Sequence, residues 1–157
     1  MTVTIRSMVK KDKPELMKIL RATPEFRPSE VIVAEEVINN YLYKRDNYNI
    51  FVAEDNKNIL GYVCYGQAPL TENTWDIYWI AVAIEKQKCG VGCALIKFAE
   101  EDIQKTRGRL IIIETSSKAG YEKTHRFYAS HNYELICRIS DFYAVGDDKI
   151  VLQKRLT

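Results

Sequence analysis

Two glycines one residue apart, in Gln87-Lys88-Cys89-Gly90-Val91-Gly92, are where this chain could do chemistry. Upstream, residues 75–82 form an apolar run that reads as a buried strand. Downstream, Ala94, Leu95, Phe98, Ala99 and Ile103 recur at helical spacing, so the segment is strand, short loop, helix. Glycines at the point where a loop becomes a helix let the backbone approach a ligand closely. The first N–H groups of a helix lack intrahelical partners, and the helix dipole makes that end mildly positive. Phosphate suits such a pocket, and Lys88 sets a cation at its rim. The stretch reads as a pyrophosphate cradle. Two other phosphate motifs fail on spacing. No Gly-x4-Gly-Lys-Ser/Thr string occurs, and Leu95 stands where a dinucleotide fingerprint needs its third glycine.

The elements around the cradle follow from patterning. Residues 2–6 alternate as a first strand, and Lys13-Pro14 opens a helix with Asp12 as its cap. Residues 23–28 read as a loop broken by two prolines, and Ser29-Glu30 opens a second helix with Val33, Val37 and Tyr41 on its apolar face. Strands at 48–54 and 59–65 flank a tight turn and make a hairpin. After the cradle helix, Leu110 to Ile113 mark a strand buried on both faces. A helix covers 122–130, and strands at 133–141 and 149–153 are joined by a connection at 142–148. The order β-α-α-β-β-β-α-β-α-β-β predicts one mixed α/β (α+β) domain over residues 1–157.

Bulk properties narrow the function. The 157 residues are 46% hydrophobic and 28% charged, as in an ordinary globular domain. A formal net charge of +2 without a basic run gives no footprint for nucleic acid. No apolar stretch reaches the length of a membrane span, and Lys10, Lys11 and Lys13 are followed by no apolar core, so a cytoplasmic protein is expected. Cys64, Cys89, Cys93 and Cys137 form no Cys-x-x-Cys pair, which fits neither a disulfide framework nor a zinc site, and no metal is expected.

Three ordered motifs carry a resemblance. Ile80-Ala81-Val82, followed by residues 87–96, matches the Gln/Arg-x-x-Gly-x-Gly/Ala loop that holds the coenzyme A pyrophosphate in the GNAT N-acetyltransferases. Residues 124–134, with Arg126-Phe127-Tyr128 and Tyr133-Glu134, are similar to that family's Arg-Phe-Tyr-x-x-x-Gly-Phe-Glu segment. Asp141-Phe142-Tyr143 and Gly146-Asp147-Asp148-Lys149 resemble the approach to the closing strands of many small members. The chain thus resembles the GNAT superfamily over its whole length, which implies a mostly antiparallel central sheet flanked by helices. Asn132 replaces the usual glycine after the second motif and can hold the same left-handed turn. Tyr121 stands where many members carry a coenzyme-contacting asparagine, and Thr124 replaces a common alanine.

The resemblance implies acetyl-CoA as co-substrate and transfer of its acetyl group to a primary amine, by direct attack in a ternary complex. It assigns the backbone N–H groups of Gln87, Lys88, Cys89, Gly90, Val91, Gly92 and Cys93 to the pyrophosphate. The strand at Ile80 and Val82 would pair with the pantetheine amides and polarise the thioester oxygen. Tyr128, alone among the ten tyrosines in the family's position, is the expected general acid. A phenol and a thiol have comparable pKa values, about 10 and about 8.5. Its alternative role is packing. Asp76 lies where the histone-modifying branch has its catalytic glutamate, and stands either as general base or as a strand-edge hydrogen-bond acceptor; Glu114 is a further candidate. Cys89 and Cys93 allow an acyl-enzyme or are simply small residues in a crowded loop. The acids Glu25, Glu30, Glu35, Asp147 and Asp148 could attract a cationic acceptor. That acceptor is expected to be a small-molecule amine or amino-acid derivative, with a protein lysine or N-terminal amine, or an idle acyl-CoA-binding module, as alternatives. A homodimer through the last strands is possible.

Overall fold

The computed structural model describes residues 1–156; residue 157, the last of the expected domain, lies outside them. In order along the chain come β1 (Thr4–Ser7), α1 (Lys13–Ala22), α2 (Pro28–Leu42), β2 (Asn49–Asp55), β3 (Asn58–Gln67), β4 (Thr74–Val82), α3 (Val91–Lys105), β5 (Leu110–Ser116), α4 (Glu122–Ser130), β6 (Glu134–Ala144) and β7 (Asp147–Arg155). Apart from short 3-10 turns, this is the expected order.

The strands form one seven-stranded sheet in the order β1-β2-β3-β4-β5-β7-β6. Every neighbouring pair is antiparallel except β4 and β5, which run parallel. Strand alternation divides the core between two faces. Ile50, Val52, Tyr62 and Cys64 pack with Leu16, Leu20, Ala34 and Ile38 of α1 and α2. Ala53, Val63, Tyr65, Ile111 and Ile113 pack with Leu95, Ala99 and Ile103 of α3 and with Tyr128 of α4. Central strands covered on both faces explain the continuous apolar runs of β3 and β5. No helix among the described residues is long and apolar enough to cross a membrane.

Several local expectations are corrected. Pro28 does not break a helix but begins α2, at the first-turn position where its missing N–H costs nothing. Val33 is exposed, and the buried stripe of α2 is Ala34, Val37 and Ile38. Asp12 does not cap α1 with its side chain. Its carboxylate instead accepts hydrogen bonds from Arg6 Nη1 at 2.8 Å, Arg6 Nη2 at 2.9 Å and the Val9 N–H at 2.9 Å. The connection expected at 142–148 is mostly strand: β6 runs to Ala144, β7 starts at Asp147, and Gly146 turns the hairpin at φ 81°. Asn132 adopts φ 68°, the left-handed conformation its replacement of glycine implied. Strand β6 is one edge of the sheet, β1 the other, and β6 is exposed along its whole length.

Candidate active site

The site begins with a defect in pairing. Cys64 of β3 faces Trp79 of β4, but Tyr65 faces Ile77, so Tyr78 has no partner and forms a bulge. The extra residue changes the parity of β4: Ile77 and Ile80, three apart, both pack toward α3, while Trp79 and Ala81 face α1 and α2. A bulge also increases strand twist. On the other edge of β4 the parallel ladder with β5 has only three pairs, Thr74–Leu110, Trp75–Ile111 and Asp76–Ile112. Beyond Asp76 the strands part, and the β5-facing backbone edge of β4 has no ladder partner. A cavity of about 530 Å³ occupies the opening, lined by Trp79 to Val82 on one side and Ile113 to Ser116 on the other. An unpaired strand edge lining a cavity can accept a ligand's amides as an added strand.

At the end of β4 the chain turns into α3. Gly90 is the residue before the helix, at φ 85°, and Lys88 is also left-handed at φ 61°. No side chain caps this end of α3, whose first local bond runs from the Ala94 N–H to Gly90 O at 3.0 Å. The N–H groups of Val91, Gly92 and Cys93 precede it in the first turn. Gly92 is tightly placed: a Cβ there would meet Phe127 of α4 at 3.2 Å. Gln87 Nε2 donates to Val82 O at 3.3 Å and ties the loop to β4. Of the cradle residues only Gln87 lines the cavity; Cys89 and Cys93 are exposed free thiols.

Tyr128 lines the same cavity together with Ile80 and Val82. It is 6% exposed, and burial alone pushes its phenol well above the ordinary value. Asp76 stands elsewhere, at the last paired register and outside the cavity lining. Burial, and then the charge of Glu114, raise its carboxyl from the ordinary aspartate value. Glu114 does line the cavity, with Lys149 Nζ at 2.9 Å from its carboxylate. Burial and the charge of Asp76 lift the Tyr78 phenol to about 12. His125 is half-buried, its Nε2 2.9 Å from Ser116 O.

The five acids expected to draw in a cation are already paired. Glu25 meets Lys123 at 2.7 Å, Glu30 meets Arg27 at 3.1 Å, Glu35 meets Lys13 at 3.1 Å and Asp148 meets Arg138 at 2.6 Å. Asp147, fully buried, accepts from Ser116 Oγ and lies 3.3 Å from Arg27 Nη2. Sequence reasoning did not find the structure these pairs build. The connection between α1 and α2 is fastened across the cavity to α4 through Glu25 and Lys123, and to β7 through Arg27 and Asp147. Tyr121 completes the fastening, its hydroxyl 3.1 Å from Glu25 O and 3.2 Å from Glu30 Oε2. Tyr121 thus serves the wall of the cavity, and only its departure from a motif marked it in the sequence.

The family profile for the acetyltransferase (GNAT) domain matches residues 46–135. A crystal structure from Desulfovibrio desulfuricans, described as an acetyltransferase of the GNAT family, is 34% identical. It aligns over 99% of this chain and 100% of its own, with a TM-score of 0.95. The fold is shared more distantly by the ribosomal-protein-S18-alanine N-acetyltransferase of Escherichia coli, at 18% identity, 99% and 95% coverage and a TM-score of 0.80. It is shared too by the PaiA N-acetyltransferase of Thermoplasma acidophilum in complex with coenzyme A, at 12% identity, 99% coverage of both chains and a TM-score of 0.75. No curated protein matches the chain. The chain belongs to the GNAT family, acyltransferases that move an acetyl group from acetyl-CoA to an amine.

Proposed function

We propose that this protein transfers the acetyl group of acetyl-CoA to the primary amine of a small molecule or amino-acid derivative, by direct attack in a ternary complex. The observation that carries the reading is the opening between β4 and β5, which places a free strand edge beside a buried phenol and below an uncapped helix start. The N–H groups of residues 87–93 would hold the pyrophosphate, and the edge at Ile80 and Val82 would pair with the pantetheine amides. The amine nitrogen then bonds to the thioester carbonyl carbon. A backbone N–H of β4 stabilises the oxyanion that forms. As the carbon–sulfur bond breaks, Tyr128 gives its proton to the departing thiolate, and the amine proton leaves through Asp76, Glu114 or water. Attack within one complex leaves no covalent role for Cys89 or Cys93.

The fastened α1–α2 connection supports a small acceptor, because Glu25, Arg27 and Glu30 wall the cavity and are held there by ion pairs to Lys123 and Asp147. The four free cysteines suit a reducing, cytoplasmic setting. Coenzyme A thiol release with acetyl-CoA against a panel of amines and amino acids, beside lysine-containing and N-terminally free peptides, tests the reading. Release stimulated by small amines above that with peptides is expected. Preference for peptides would move the acceptor to protein amines, and coenzyme binding without release to any amine would leave a binding module.

A further inference from the structure

On β5, Ile111 and Ile113 are buried in the cluster that also holds Tyr128. Strand alternation puts Thr115 on the same face. Thr115 is 7% exposed and lines the cavity, and its Oγ1 is buried without any hydrogen-bond partner among the described residues. The neighbouring polar groups are accounted for: Ser116 Oγ donates to Asp147, and Ser116 O is the partner of His125 Nε2 at 2.9 Å. A buried hydroxyl left unpaired is costly, and valine would fill nearly the same volume without that cost.

Register places this hydroxyl. Asp76 and Ile112 are the last paired residues, so Thr115, three residues further along β5, stands level with Trp79 and Ile80 across the opening. It therefore faces the free edge of β4 at the depth where the acyl-cysteamine end of the coenzyme would lie, on the Tyr128 side of the sheet. A threonine hydroxyl can both donate and accept, which suits an arm carrying an amide and a thioester. We propose that Thr115 is a binding residue for the cysteamine end of coenzyme A, its Oγ1 supplying from β5 a hydrogen bond that holds the arm against β4. This rests on the acetyltransferase reading and adds to it a contact from the strand opposite the expected one.

Thr115→Val and Thr115→Ser, compared with the wild type, test it through two readouts: the melting temperature of the free protein and the dissociation constant for coenzyme A by calorimetry. The valine variant should melt at the wild-type temperature or above, because it removes an unpaired buried hydroxyl, yet bind coenzyme A about five- to tenfold more weakly. The serine variant, which keeps the hydroxyl, should bind within about twofold of wild type. If the valine side chain does not fit, Thr115→Ala gives the same contrast with serine. Coenzyme affinity indifferent to the hydroxyl would overturn the proposal while leaving the acetyltransferase reading intact. A wild-type protein that does not bind coenzyme A at all would overturn both.

Discussion

Tyr128 meets a general acid's first requirement by position, since it lines the cavity together with the free edge of β4. A phenol is already protonated at neutral pH. Burial raises that of Tyr128 further and makes it a weaker acid, so its case as proton donor rests on its place in the cavity beside Ile80 and Val82. Thr115 and Tyr128 face one cavity from a strand and a helix, one suited to holding the arm and the other to protonating its sulfur. Tyr128→Phe should lower turnover about 100-fold, in the range typical of a lost acid–base group. It should leave coenzyme affinity nearly unchanged; steady-state thiol release with a parallel binding measurement separates the two, and unchanged turnover would take Tyr128 out of the mechanism. The base is read through pH. Burial, then the negative charge of Glu114, raise the Asp76 carboxyl, so its ionised form grows in at higher pH than that of an ordinary aspartate. If Asp76 is the base, the rate climbs with pH through that raised value. Glu114→Gln removes the neighbouring charge and should shift this acidic limb to lower pH, whereas Asp76→Asn should abolish it. A limb that neither substitution moves would assign proton removal to water.

Scaling up to the elements, the start of α3 depends on a backbone state that only glycine adopts easily. Gly90 lies at φ 85°, and a Cβ added there would have nothing within 4 Å, so alanine meets no neighbour and suffers only the left-handed backbone. Gly90→Ala should cost about 1 kcal/mol, roughly 2–4 °C in melting temperature for a chain of this size. Coenzyme affinity should fall with it as the first turn re-aims; calorimetry with and without coenzyme A reads both, and wild-type values would mean the loop does not set the cradle. This element was legible in advance because its signals are local: two glycines, then a helical period. The limits of α4 were legible for the same reason, and they coincide with residues 122–130. The bulge at Tyr78 was not, since residues 75–82 are apolar throughout and the change of parity exists only relative to β3. The opening beyond Asp76 follows from how far β4 and β5 pair, a property of two strands some 30 residues apart in the chain. Asp12 shows the same limit in small: its type and place suggested a cap, but Arg6, across the start of the sheet, claims the carboxylate.

At the scale of the whole molecule, the opening divides the sheet into β1–β4 and β5–β7–β6, joined by three ladder pairs, by the helices packed across them and by the fastening of the α1–α2 connection. A ligand lying between β4 and β5 would touch both parts and hold them together in the native state only. Acetyl-CoA at one hundred times its dissociation constant should therefore add about 2.7 kcal/mol, a rise of roughly 5 °C or more in melting temperature. Tyr121 decides what kind of wall it enters. In the family pattern its position belongs to a coenzyme contact, but here its hydroxyl serves Glu25 O and Glu30. Tyr121→Phe removes those hydrogen bonds from a half-buried site and should lower the melting temperature of the free protein by a few degrees, the effect of about 1 kcal/mol. The increment from acetyl-CoA should persist, because the phenol's partners are Glu25 and Glu30 of the α1–α2 region. The variant's kinetic loss should then fall on the KM for the amine. If instead the acetyl-CoA increment collapses in Tyr121→Phe, the tyrosine has kept the contact that its position implies, and the fastening is incidental to it.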